Sequence, residues 1–223
     1  MIDRHALVIG ATGLVGSNVL KELLSEPTWQ RVTVLARKPA PLENPKLTWH
    51  VTDFADLATW KPHVAVTDLF DCMGTTIKQA GSQEAFRKAD LEIPLMLAKA
   101  ARAAGARHCA VVSSMGANPT AKVFYSRVKG ELEQELRKLH FPSLHLLQPS
   151  LLVGDRAQAR PGEKVGEVAL AVLRPFLVGS LKKLRSIRAA SVARAMVTLA
   201  VHPEPGAKVV ASDELERLGH AQG

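Results

Sequence analysis

The chain has 223 residues, 47% of them hydrophobic and 22% charged, and carries a formal net charge of +8. Those proportions describe an ordinary globular sequence with enough apolar content for one sizeable core, and they exclude a low-complexity chain. The positive charge favours anionic partners: phosphorylated cofactors, acidic substrates, membrane surfaces or nucleic acid. Along the chain, apolar runs of strand length recur, most of them followed by a segment of helical period. They are ALVI before 14–25, VTVLA after 32, LTWHV at 47–51, DLFDCM at 68–73 before 83–104, HCAVVS at 108–113 before 122–139, and SLHLLQ at 143–148. Alternation of this kind implies βαβ units, hence an α/β fold with a doubly wound parallel sheet and helices on both faces. The last third predicts a short extended piece, a helix over about 190–201, a late strand at KVVAS and a short closing helix at DELERL.

No interval reads as a linker and no internal period appears, so 1–223 is expected to form a single domain, with a small substrate or lid region within about 150–190. The longest apolar stretch, VGEVALAVLRPFLVGSL at 165–181, holds Glu167 and Arg174 and is broken by Pro175, so it falls short of a transmembrane span. The N-terminal apolar run follows Asp3 and Arg4 and leads into a glycine turn, unlike a cleavable signal, which makes a cytoplasmic location the expectation. Cys72 and Cys109 sit at apolar strand ends as small buried thiols and supply no disulfide framework. The eight histidines show no metal-ligand spacing, and no metal is expected. The densest basic cluster, Lys182, Lys183, Arg185 and Arg188, reads first as a solvated face. With no aromatic residues interleaved it argues against a nucleic-acid partner, while with the preceding apolar stretch it admits a peripheral membrane contact.

In sheets of this class ligands bind beyond the carboxyl ends of the strands, so functional residues should follow strands. Gly10, Gly13 and Gly16 do so in GATGLVG. Gly10 can make the sharp turn, Gly13 stands where the backbone would meet a pyrophosphate, and Gly16 lies in the first helical turn, where helix and strand pack closely. Amides at that helix N-terminus would hold phosphates. The context of strand before and helix after makes this a dinucleotide turn in a Rossmann-like domain; no Gly-Lys-Ser/Thr follows, which excludes a P-loop. The second strand exits at Arg37-Lys38 where an NAD-preferring fold places an acid, so NADP(H) is preferred, with NAD(H) as the alternative. Asp53 and Phe54 follow the third strand, where a carboxylate and an apolar wall could hold adenine. Met73 and Gly74 follow the fourth, where a backbone without a Cβ can pass close to a ribose.

Tyr125, the single tyrosine, precedes Lys129 by one helical turn. An adjacent ammonium stabilises a phenolate, which suits tyrosine to acid–base work, and the lysine could also reach the nicotinamide ribose. Upstream, the fifth strand ends in Ser113 and Ser114, either of which could hold a substrate carbonyl, with Ser114 preferred. No Gly-x-Ser-x-Gly elbow supports a hydrolase.

These residues together resemble the short-chain dehydrogenase/reductase superfamily, in its atypical Gly-x-x-Gly-x-x-Gly branch. Within it the chain is similar to the Tat-interacting-protein oxidoreductase family and its bacterial NAD(P)H-binding relatives. The likeness runs through GATGLVG, LARKP, CMGTTIKQAGS, VVSSMGAN, FYSRVKGELE, QPSLLVGDR and ARPGE. It implies phosphate contacts from Thr12, Gly13, Leu14 and Val15, a 2′-phosphate site at Arg37 and Lys38, and a ribose contact at Met73 and Gly74. It further implies a catalytic pair in Tyr125 and Lys129, with Leu152 and Arg160 closing over the nicotinamide end. The chain departs from the pattern at Met115, where many members carry the catalytic hydroxyl, and at Gln148, where relatives often carry Arg. The expectation is an NADPH-dependent oxidoreductase acting on a small carbonyl or alcohol. The alternative is a non-catalytic NADPH-sensing module with a protein partner, and the apolar pattern leaves monomer and homodimer both open.

Overall fold

In β1 (Arg4–Ile9) Ala6 and Val8 face one apolar layer while Leu7 and Ile9 face another, and all four are fully buried. A strand apolar on both sides must be covered on both sides. The computed structural model describes residues 3–154 and 186–220 and meets that requirement. Seven parallel strands run in the order β3-β2-β1-β4-β5-β6-β9. The others are β2 (Trp29–Ala36), β3 (Leu47–Val51), β4 (Asp68–Asp71), β5 (His108–Val112), β6 (Ser143–Gln148) and β9 (Gly206–Ala211). The order turns back between β1 and β4, which opens a crevice at their carboxyl ends.

One face is covered by α1 (Leu14–Ser25), α6 (Ala189–Val201) and α7 (Ser212–His220), which bury Val19, Leu23, Val192, Met196 and Leu215. Against the other lie α3 (Gln83–Arg87), α4 (Ile93–Ala103) and α5 (Phe124–Arg137), with Phe86, Leu97, Val128 and Leu132 buried; the short α2 (Ile77–Ala80) precedes them. A separate parallel pair, β7 (Leu152–Val153) with β8 (Ile187–Arg188), joins the chain on either side of 154–186. The predicted strands and the helices at 14–25, 122–139, 190–201 and DELERL are found within a few residues of their expected ends.

The segment predicted over 83–104 is helical from Gln83 to Ala103 but not α throughout: residues Lys88–Glu92 form a π turn in which the Ile93 N–H donates to the Lys88 carbonyl. Pro94 supplies the reason. It has no N–H to return to the Asp90 carbonyl, and its ring would crowd that oxygen in an ordinary α-turn. The wider turn rotates Asp90 inward, where it is fully buried. Of the expected lid region, only 150–154 and 186–190 lie within the described residues.

Candidate active site

The glycine turn is fixed by contacts as well as by backbone angles. Gly10 has φ +77°, and a Cβ there would lie 2.5 Å from the Cys72 carbonyl carbon and 2.6 Å from the Met73 nitrogen. At Gly16 it would lie 2.2 Å from the Gly10 oxygen, so α1 can pack on the turn only without a side chain. Gly13 differs: its nearest neighbour would be the Gly10 oxygen at 3.2 Å, a tight but yielding contact, and the residue is exposed. Two of the three glycines are therefore required by the protein's own packing, while the third is open toward the crevice. Gly13 occupies the N-cap of α1 with no side-chain cap and no acid in the first turn, leaving the amide end of the helix dipole uncompensated.

A cleft of about 410 Å³ opens over this turn. Gly10, Thr12, Gly13, Arg37, Lys38, Phe54, Met73 and Gly74 all line it, and Cys72 and Thr75 contribute to its floor. Leu14, Val15 and Gly16 form the first turn of α1 behind it. Arg37 and Lys38 are exposed at the exit of β2. Phe54 is buried with φ +67°, a left-handed conformation rare for a bulky residue, and its N–H donates to Thr52 Oγ1 at 3.0 Å. Asp53 is exposed, with its carboxylate accepting from the Ala55 N–H at 2.8 Å. The uncompensated helix end, the two cations and the apolar Phe54 wall fit a dinucleotide carrying phosphates and an adenine.

Below the cleft lies a buried charge cluster. Lys129, on α5, is 2% exposed; its Nζ stands 2.8 Å from Asp90 Oδ1 and donates over longer distances to the carbonyls of Met73 (3.4 Å) and Val112 (3.5 Å). Burial alone would pull this ammonium down, but the Asp90 carboxylate beside it, with Tyr125 and Asp71, holds it above its ordinary value. Asp90 Oδ2 accepts from the Thr75 N–H at 3.0 Å. Asp71 accepts from the Met73 N–H at 2.8 Å, and burial pushes its carboxyl up to about 7. Asp90 and Asp71 were not read from the sequence; the signal available for Asp90 was Pro94, which makes an unbroken α-helix over 83–104 untenable.

Tyr125 lies one turn before Lys129, half-buried, its ring 5.6 Å from that of Phe86. The two serines at the end of β5 are in different situations. Ser113 is buried, donating to Glu133, which also accepts from Gln148 Nε2 at 2.9 and 3.1 Å. Ser114 Oγ is buried with no hydrogen-bond partner among the described residues. The loop after it is clamped to α5: Asn118 N–H donates to the Ser126 carbonyl at 3.0 Å, and a Cβ on Gly130 would sit 2.2 Å from the Asn118 carbonyl carbon. The serine end of β5 and the tyrosine end of α5 are thus held together. Leu152 is half-buried on β7; Arg160, Lys182, Lys183 and Arg185 lie outside the described residues, and Arg188 is exposed. Among the described residues no cluster of three or more His, Cys, Asp or Glu side chains could hold a metal.

Residues 10–150, from the glycine turn to the end of β6, match the NAD(P)H-binding family. The chain belongs to that family. It shares the atypical branch of the short-chain dehydrogenase/reductase superfamily with two kinds of relative. The mitochondrial protein FMP52 of Candida albicans is 32% identical, covering 96% of this chain and 97% of the relative. Protein HTATIP2 of Rattus norvegicus is 33% identical over 73% of this chain and 69% of the relative. The fold is that of the Bordetella bronchiseptica enzyme WbmH, solved in complex with NAD+, at a TM-score of 0.71, 14% identity, and coverage of 94% of this chain and 76% of that one. Family membership makes NAD(P)H the cofactor class, and the oxidoreductase-type Rossmann fold is shared with it. Among the described residues no helix is long and apolar enough to cross a membrane.

Proposed function

We propose that the protein is an NADPH-dependent oxidoreductase that interconverts a small carbonyl compound and its alcohol. The observation carrying this reading is Lys129, a buried ammonium that reaches the Met73 carbonyl at the cleft floor from a helix carrying Tyr125 one turn earlier. The chemistry NADPH supplies when bound in the cleft is transfer of a hydride to a carbonyl carbon. Tyr125 donates its phenolic proton to the carbonyl oxygen, and the Lys129 ammonium stabilises the phenolate left behind. Ser114, whose hydroxyl has no described partner, orients that oxygen, since Ser113 is engaged by Glu133. Arg37 and Lys38 recognise the 2′-phosphate, a planar guanidinium being suited to several charged hydrogen bonds at once. Thr12, Gly13 and the first amides of α1 hold the pyrophosphate, Phe54 and Asp53 the adenine side, and Leu152 the nicotinamide end.

Fluorescence titration of the purified protein with NADPH and NADH tests the cofactor half. Tighter NADPH binding that falls about ten-fold or more in Arg37→Ala, with NADH unaffected, is expected from loss of a charged phosphate contact; equal binding of both nucleotides overturns it. Tyr125→Phe should retain NADPH affinity and lose carbonyl reduction by on the order of 10²-fold or more, and unchanged turnover removes Tyr125 from the mechanism.

A second reading, an NADPH sensor that alters a protein contact without turnover, is favoured by one observation: the described cleft lining stops at Met73, Gly74, Thr75 and Ala89 and includes neither Tyr125 nor Ser114. A carbonyl-substrate panel separates the two, because a sensor shows nucleotide-dependent partner affinity and no hydride transfer.

A further inference from the structure

We propose that Asp90 is a positioning residue for the nucleotide and proton-transfer site, holding Lys129 and the Met73–Thr75 segment in one geometry through the two oxygens of a single carboxylate. The inference rests on the oxidoreductase reading and adds to it a residue outside the cleft lining. A lysine ammonium has three N–H donors. Lys129 Nζ pairs by charge with Asp90 Oδ1 at 2.8 Å, while the hydrogen bonds to the Met73 and Val112 carbonyls are long, at 3.4 and 3.5 Å, and readily exchanged for a ligand's hydroxyl. Asp90 therefore fixes where the ammonium stands beneath the cleft floor.

The other oxygen draws in the Thr75 N–H, and a Cβ at Gly74 would lie 3.9 Å from both Asp90 Oδ1 and Lys129 Nζ, so the segment at the cleft floor passes directly over the pair. The groups facing Lys129 are Asp90 from the π turn, Asp71 from β4 and Tyr125 from its own helix. Asp71 cannot replace Asp90 as counter-ion: it forms no ion pair with Lys129 among the described contacts, and its only described hydrogen bond is the one from Met73 N–H. The π turn caused by Pro94 has a use on this account, since it carries the Asp90 carboxylate into contact with both partners.

The test compares wild type with Asp90→Asn and Asp90→Glu, measuring NADPH affinity by fluorescence, kcat and KM across pH 6–10, and thermal unfolding. Asp90→Asn keeps a hydrogen-bonding side chain but removes the charge, so the ammonium loses its neighbour and the alkaline limb of kcat moves to lower pH by about one unit or more. NADPH affinity should fall about ten-fold, and Asp90→Glu should restore the alkaline limb toward wild type. A merely structural acid would lower the unfolding temperature of Asp90→Asn and leave the limb and the affinity unmoved in the folded variant; that outcome overturns the inference. If wild type itself binds no NADPH, the oxidoreductase reading fails first and this inference falls with it. If wild type binds and turns over, and Asp90→Asn matches it in affinity and pH profile, only the role of Asp90 is lost.

Discussion

Asp68 and Asp71 stand at opposite ends of one four-residue strand, both buried to within 2% of complete, and their surroundings differ sharply. Asp68, at the end remote from the cleft, is saturated: Oδ2 accepts from Arg4 Nε at 3.1 Å, Trp29 Nε1 at 3.0 Å and Thr67 Oγ1 at 2.6 Å, while Oδ1 takes the Arg4 Nη2 group. Arg4 also reaches the Ala200 carbonyl at 2.8 Å and lies over the Trp29 ring, so the network ties β1, β2 and α6 to β4. Asp71, at the cleft end, has one described hydrogen bond, and its carboxyl is pushed up to about 7 by burial, with Lys129 and the Met73 N–H only partly opposing that rise. The same residue type is a completed structural joint at one end and an incompletely compensated group at the other. Carboxylates left in that second condition gather where a chain has chemistry or ligand binding to perform.

Removing the saturated acid should have the largest effect on stability. Asp68→Ala leaves Arg4 and the Trp29 N–H without their buried acceptor and is expected to destabilise by about 3–5 kcal/mol. Chemical denaturation measures this, and a loss below about 1 kcal/mol would mean that the network is far weaker than its geometry suggests. NAD(P)H affinity of whatever remains folded should be that of wild type.

Asp71→Asn acts with the opposite sign. Because the native carboxyl titrates near 7 and the unfolded one near 3.8, the native state holds its proton more tightly. Its contribution is therefore fully present only below about 3.8 and is lost progressively as pH rises from there through about 7. The Asn variant should overtake wild type across that interval and exceed it by roughly 1–3 kcal/mol at pH 8. Denaturation curves at pH 5, 6, 7 and 8 should diverge; parallel curves would show that Asp71 ionises normally in the folded protein.

The smallest effect belongs to the histidines behind Asp68. His108 and His145 are joined at 3.1 Å, and burial holds them down to about 3 and about 4. Their neutral forms favour the fold above the unfolded value of 6.5, and this stability is lost as pH falls from there toward 4. His145→Asn, which keeps a hydrogen-bonding atom toward His108, should flatten that acid slope by about 1 kcal/mol between pH 6.5 and 5. An unchanged slope would remove His145 from the acid response.

The sheet was legible because its signal is local: strands apolar on both faces, each followed by a helical period, leave few alternatives to a covered parallel sheet. Gly10 and Gly16 were legible for the same reason, since a strand, a turn and a helix within twenty residues require close approach. Asp90, Asp71 and the engagement of Ser113 by Glu133 depend on residues brought together from β4, the π turn, β5 and α5, and spacing along the chain carries no such information. Pro94 did carry a local warning. Its missing N–H falls at a position where hydrophobic period alone reads straight through.

The β7–β8 pair bears on how the chain could be divided. Leu152 lies beside Ile187 and Val153 beside Arg188, so the polypeptide departs and returns at adjacent points. What comes after the return, including Val192, Met196, Ala200, Val210 and Leu215, is buried in the same apolar layer as Val19 and Leu23 of α1. A chain severed between 154 and 186 would thus be two fragments of one core, each lacking what the other supplies. Fragment complementation, with the pieces expressed separately and NAD(P)H binding recovered on mixing, is the behaviour this connectivity dictates.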